Sequence, residues 1–258
     1  RQSVTSRWAN MTREDAYDSA PPSAASLIES LRAFSYELPT AIADLVDNSI
    51  TAKADKIWVD LEWDGENSCI VVTDNGRGMT ETELVLAMRP GSQSPLTVRS
   101  PEDLGRFGLG MKTASFSQAR ELTVFSRVKG GPIAQRRWDL DHVAVVDDWQ
   151  LLRSAGARAE LGAKRLKSLS HGTSVVWTRL DRVTGGTDVN NNEDHDSFLD
   201  AGKQVEEHLA VVYHRMLQKP ATITLYLNDQ PIKGWDPFLA SEAATQELAT
   251  TRVTVGGA

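Results

Sequence analysis

Strict alternation marks the clearest element of the chain. Ile57, Val59, Leu61 and Trp63 fall on one face and Lys56, Trp58, Asp60 and Glu62 on the other, which predicts a half-buried strand. Asp64-Gly65 is a turn signal, and Cys69-Ile70-Val71-Val72 predicts a more buried return strand. That strand runs into Asp74-Asn75-Gly76-Arg77-Gly78-Met79. Upstream, Leu27, Ile28 and Leu31 have helical spacing from Ala25 onward. Pro39 and Thr40 then open a second helix whose apolar stripe is Ile42, Leu45, Val46 and Ile50. Thr80 and Glu83 have capping-box spacing and predict a short helix through Met88.

The pattern loosens over residues 89–104, where prolines, a glycine and hydroxyl residues predict a mobile loop. A helix is expected near 110–119 and strands over 122–128, 135–140 and 173–179. Residues 184–196, with Gly185-Gly186 and Asn190-Asn191-Asn192, predict a loop, and "NNEDHD" within it a solvated acidic stretch around His195. A long helix follows over 197–217, with Val205, Leu209, Val212, Tyr213 and Met216 on one face. A strand over 222–227 and a turn at Asn228-Asp229 come next, and the closing "TTRVTVGGA" has the pattern of a strand cut short. Residues 1–25 are polar and predict an arm.

Composition narrows this picture. A chain of 258 residues, 40% hydrophobic and 24% charged, suits one large globular domain or one domain plus part of another. No apolar run approaches the ~18–20 residues needed to span a membrane. The start at Arg1 rather than Met suggests a segment cut from a longer chain. Cys69 is the single cysteine, which excludes an internal disulfide and a cysteine-based zinc cluster and fits a reducing, cytoplasmic setting. A net charge of −7 argues against this segment alone wrapping nucleic acid.

Four stretches carry candidate chemistry. In "AIADLVDNSITAKA", Asp44, Asn48 and Ala52 lie four apart and share a helix face away from the apolar stripe. The Asn48 oxygen is a hard ligand suited to Mg²⁺, and a carboxylate one turn away can orient or deprotonate water. An ordinary polar helix face reads the same way. In "DNGRGM", a buried strand delivers Asp74 to its end, where an acceptor-only carboxylate can take an exocyclic amine such as that of adenine. A plain glycine turn is the alternative. In "LGRFGLGMKTAS", Gly108 and Gly110 can expose backbone N–H groups at a helix start, with Lys112, Thr113 and Ser115 adding a cation and hydroxyls. Met111 stands between Gly110 and Lys112 and no buried strand precedes the stretch, which rules against a P-loop. In "SHGTSVVW", Thr173 opens a strand with a hydroxyl that can reach a ligand directly or through water.

The order of these parts is more specific than any one of them. "LVDNS", "DNGRGM", "GRFGLGMKTAS" and "HGTSVVW" resemble the four motifs of the GHKL ATPase superfamily: gyrase B, the ninety-kilodalton heat-shock chaperones, histidine kinases and MutL. They cover about 130 residues, and "AIADLVDNS" with "GLGMKTAS" is most similar to MORC-like ATPases and their bacterial relatives. The resemblance implies an α+β, two-layer Bergerat fold: a mixed, mostly antiparallel sheet with helices on one face. It divides the chain into an N-terminal arm (1–25), an ATPase domain (26–220), and a last strand plus the start of a truncated transducer-like domain (221–258).

By the same resemblance Asn48 would ligate Mg²⁺ bridging the ATP phosphates, and Asp74 would hold the adenine amine with help from Thr173. Gly78 and Met79 would line the adenine pocket, with Ala52 beneath the base. Residues 89–107 would form a lid, and Gly105, Phe107, Gly108, Leu109, Gly110, Met111, Lys112 and Thr113 would surround the phosphates. Asp44 would be the catalytic base, where hydrolysing relatives carry Glu. Its carboxylate is shorter by one methylene, about 1.3–1.5 Å of reach, which implies slow turnover or a binding switch. Thr51 is a second departure, at a position where many relatives have Asp. Asp47 is rotated by about 100° from Asn48 and is a poor substitute base. The implied partners are ATP, a second copy of the chain in an ATP-driven dimer and, through domains elsewhere in the parent protein, DNA; no membrane is implied. Phosphotransfer of the histidine-kinase type is the alternative inside the superfamily, although no helix before residue 40 carries a phosphoacceptor histidine.

Overall fold

The computed structural model describes residue 18 and residues 20–33, 36–91, 110–156, 158–184, 188–218, 220–240 and 242–246. Helices α1 (Ala24–Arg32) and α2 (Leu38–Thr51) come first, then strands β1 (Lys56–Glu62) and β2 (Cys69–Asp74), joined through a short 3₁₀ turn at Gly65–Asn67. Helices α3 (Glu81–Met88) and α4 (Gly110–Gln118) follow, then β3 (Glu121–Arg127), β4 (Ala134–Asp139), α5 (Leu140–Val146), α6 (Glu160–Ser168) and β5 (Gly172–Thr178). The described chain closes with α7 (Asn192–Val212), α8 (His214–Leu217), β6 (Thr224–Leu227) and β7 (Gln230–Pro231).

The strands form one sheet in the order β4-β3-β5-β2-β1-β6-β7. Every pairing is antiparallel except β1 with β6, so the sheet is mixed and mostly antiparallel, as expected. The alternation read in β1 is real: Ile57, Val59 and Leu61 are buried on the helix-covered face. Ile70 and Val72, Val175 and Trp177, and Leu122 and Val124 share that face, where Ala41, Ile42, Leu45 and Val46 of α2, Phe116 of α4 and Val205 and Leu209 of α7 pack against them. A buried arginine ties α1 to this layer. The Arg32 guanidinium donates to the carbonyls of Phe116 (2.7 Å) and Ala119 (2.9 Å) at the end of α4, where the helix dipole favours a cation, and to Asp181 (2.6 Å).

The register sets one row of polar residues across this apolar face. Ser126 of β3 stands opposite Thr173 of β5, and Thr173 opposite Asp74 of β2. All three sit near the same end of the sheet, on the side facing the helices.

The structure differs from the expectations in definite places. The main helical layer lies on one face, but α6 covers part of the other, packing Ala159, Ala163 and Leu166 against Cys69, Val71, Phe125 and Val176. Its buried positions recur at helical spacing but are mostly small residues, which make a weak apolar signal. Helix α5 was likewise not anticipated. Residues 192–196 are not loop. They form the first turns of α7, capped by the Asn191 side chain accepting from the amides of Glu193 and Asp194. His195 stacks on Trp63 at 5.6 Å rather than sitting in a solvated loop. The long helix breaks at Tyr213, and Val212, expected on its buried face, is 50% exposed. Residues 92–109, with most of the expected lid, and the closing 247–258 lie outside the described residues.

The α6 contact makes a clean test of the second layer. A Cβ on Gly162 would lie 2.1 Å from Val176 Cγ2, a stiff β-branched neighbour. We expect Gly162→Ala to lower stability by about 1–3 kcal/mol in urea unfolding; unchanged stability would mean that α6 does not dock as described.

Candidate functional site

The polar row is built around a buried acid. Asp74 ends β2 at 5% exposure. Its Oδ1 accepts the Gly76 amide at 2.7 Å, Ser49 Oγ lies 3.1 Å from its Oδ2, and the Thr173 backbone adds a further hydrogen bond. Even so, burial dominates and pushes the carboxyl up to about 6. A charge that stays costly despite these donors favours one more, and the exocyclic amine of adenine is a donor of the right kind.

The turn after β2 carries this acid against α2. Arg77 N donates to the Ala52 carbonyl at 2.9 Å. A Cβ on Gly76 would approach that carbonyl to 2.8 Å and the Ala52 methyl to 2.9 Å, so the turn and the end of α2 are in direct contact. Gly78 has φ +69°, and a Cβ there would fall 1.9 Å from the Arg127 carbonyl. No L side chain fits, which explains the second glycine of the motif. Met79 N then donates to Ser126 Oγ at 2.8 Å, and Ser126 Oγ pairs with Thr173 Oγ1 at 2.9 Å. Asp74, Thr173, Met79, Gly78 and Ala52 therefore form one continuous wall.

Asp44 and Asn48 stand on the same face of α2, two turns and one turn before Ala52 respectively. Asn48 is exposed and Asp44 half-buried. Asp44 Oδ2 is 3.5 Å from where a Cβ on Gly110 would lie, so the acid abuts the first residue of α4. It also accepts a hydrogen bond from the Tyr36 hydroxyl at 2.7 Å. Asp47 is turned away: Tyr213 Oη lies 2.7 Å from its Oδ1, and burial raises its pKa above the usual carboxylate range. Thr51 buries its Oγ1 without a hydrogen-bond partner among the described residues.

Not every expected residue joins this wall. Lys112 is buried, and its ammonium donates to the Ala87 carbonyl in the last turn of α3 at 2.9 Å. Burial lowers its pKa to about 8. Met111 and Thr113 are half-buried in the first turn of α4, and Gly105, Phe107, Gly108 and Leu109 lie outside the described residues. Among the described residues no group of three or more His, Cys, Asp or Glu side chains is placed to hold a metal. Mg²⁺ keeps several waters and binds through few protein ligands together with substrate phosphates. A single amide oxygen from Asn48 suffices in such a set. Sequence reasoning missed Tyr36, Ser49 and Ser126. Ser49 follows Asn48 directly and had an adjacency signal; the other two reach the site only through tertiary packing.

Residues 36–173 match the family model described as "Histidine kinase-, DNA gyrase B-, and HSP90-like ATPase". The chain belongs to this GHKL ATPase family. Over 220 residues it is 28% identical to the DNA mismatch repair protein MutL of Rhodospirillum rubrum, covering 85% of this chain and 30% of that one. It is 26% identical over 200 residues to ATPase morc-1 of Caenorhabditis elegans (64% and 23%) and 30% identical over 90 residues to MORC family CW-type zinc finger protein 3 of Mus musculus (34% and 10%). The chain thus spans less than a third of the length of these relatives.

Asp74 yields a prediction in two opposite directions. Its folded-state pKa lies above the unfolded one, so it contributes most to stability below about pH 4 and that contribution is lost as pH rises through about 6. Asp74→Asn should remove this loss, so the variant's stability relative to wild type increases over the same window in urea unfolding. If Asp74 accepts the adenine amine, as the motif resemblance implies, recognition needs the charged acceptor. ATP affinity measured by calorimetry should therefore fall up to tenfold per pH unit below about 6, and Asp74→Asn should cost at least ~30-fold at pH 7.5.

Proposed function

We propose that this chain is a Mg²⁺-dependent domain that binds ATP and hydrolyses it slowly, and that its nucleotide cycle drives dimerisation as a clamp or switch. The observation that carries this reading is the joining of the Asp74 turn to the Asp44–Asn48 face of α2, through Ser49 to Asp74 (3.1 Å) and Arg77 to Ala52 (2.9 Å). It supports the reading because two carboxylates, one suited to accept an amine and one to orient water, then share one wall.

In this reading Asp74 accepts the adenine amine, while Thr173, Gly78 and Met79 shape the pocket around the base and Ala52 lies beneath it. Asn48 holds Mg²⁺, which when bound neutralises phosphate charge. Gly110, Met111 and Thr113 lie at the phosphate end with the segment 105–109, and Lys112 joins them only by leaving Ala87. Asp44 orients a water in line with the γ-phosphorus. The new P–O bond forms as the bond to the β–γ bridging oxygen breaks; ADP leaves, and the water's proton passes to the Asp44 carboxylate. Positioning and electrostatics supply most of the acceleration.

The ATPase unit is placed at 26–220; residues 221–258 add a last strand, β6 along the edge of β1, and the start of a truncated transducer-like unit. The chain resembles part of a DNA mismatch repair protein and of MORC ATPases, and on that ground the parent protein acts on DNA; its single cysteine fits a reducing, cytoplasmic setting. This last step rests on family analogy. A nucleotide-gated module with negligible turnover is the second reading, favoured by the shorter acid at position 44.

Two substitutions separate these readings. Asp44→Asn should retain ATP binding and lose at least ~100-fold in phosphate release, and Asn48→Ala should weaken binding about tenfold or more with Mg²⁺ present but little without it. Wild-type turnover by Asp44→Asn removes Asp44 from the mechanism. Wild-type protein with no release above background favours the gated module.

A further inference from the structure

Tyr36 stands just outside the motifs that define the site, yet its side chain reaches the middle of α2. Its hydroxyl donates to Asp44 Oδ2 at 2.7 Å. Its backbone is held independently: the Gln118 side chain, 3% exposed at the end of α4, donates to the Tyr36 carbonyl at 2.6 Å. The ring packs against the main core. Pro39, in the first turn of α2, fixes the chain direction immediately after it. Tyr36 is therefore anchored from α4 and presents a fixed donor to α2.

We infer that Tyr36 is a positioning residue for Asp44: its hydroxyl fixes one carboxylate oxygen against Gly110 and so aims the other at the attacking water. The inference rests on the role proposed for Asp44. An aspartate in place of glutamate gives up about 1.3–1.5 Å of reach, and a short acid tolerates little rotation before its free oxygen misses the water. Misplacement by about 1 Å costs up to ~100-fold in rate. A hydrogen bond to a base also opposes proton transfer to it. In a loose phosphoryl-transfer transition state, however, the water keeps most of its proton, so orientation outweighs that effect. Burial and the Asp44 carboxylate push the Tyr36 hydroxyl up to about 12, so it stays a donor across the physiological range.

The test is a double-mutant cycle on the full chain, read by phosphate release and by ATP calorimetry. Tyr36→Phe should lower kcat about tenfold while leaving KM and ATP affinity within about twofold. Asp44→Glu carries the carboxylate past the hydroxyl, so in that background Tyr36→Phe should change kcat by less than about twofold. A merely structural tyrosine would cost both backgrounds alike. Equal costs, or an unchanged kcat for Tyr36→Phe, overturn the inference and leave Asp44 in place. Wild-type turnover by Asp44→Asn overturns the reading on which it rests.

Discussion

The site depends on keeping one carboxylate charged inside the protein. Asp74 lies at the end of a fully buried strand, and an ionised acid there is costly unless donors surround it. Three elements supply them: the Gly76 amide from its own turn, Ser49 from α2 and the Thr173 backbone from β5. Each donor ties a separate piece of chain to the same atom group. Satisfying the acid therefore also fixes the helix, the turn and the neighbouring strand relative to one another. The remaining cost, visible in the raised pKa, is what makes a further donor from a ligand favourable. In the proposed reading, stability is given up in the free protein to recognise a base.

Helix α2 serves as the common wall. Its apolar stripe is buried in the main core, which holds the helix rigid. Its other positions diverge in role because their partners differ. Ser49 turns toward Asp74, Asp44 toward Gly110 and Tyr36, and Asp47 toward Tyr213 at the joint between α7 and α8. Asn48, next to Asp47 and one turn after Asp44, remains exposed. Adjacent carboxylates on one helix are thus given different work by rotation alone, about 100° per residue.

Much of this was legible beforehand, for identifiable reasons. β1 showed itself because one of its faces is buried and the other is not. Asp44, Asn48, Asp74 and Thr173 were singled out because the order of four short motifs is far more specific than any one of them. What escaped has equally physical causes. Helix α6 and its N-cap bury Ala159, Gly162, Ala163 and Leu166 at helical spacing, but three of the four are small residues that give a weak apolar signal. The start of α7 lay in a polar run, although Asn191 followed by Glu193 and Asp194 is a cap signal that would have located it. Ser126 and Tyr36 enter the site only through strand register and helix packing, which a single sequence does not display. Nor does a single sequence display the Lys112 contact, in which the ammonium donates to the Ala87 carbonyl at the end of α3.

The central claim is that a buried acceptor, Asp74, reads an exocyclic amine. Adenine presents an amine at that position, whereas guanine presents a carbonyl oxygen that would face the carboxylate as a second acceptor. Calorimetric titration of the chain with ATP and with GTP at pH 7.5 in Mg²⁺ tests this directly. The account predicts ATP bound at least ~100-fold more tightly, as sites built to pair a substrate amine discriminate; equal affinity for the two nucleotides would contradict it.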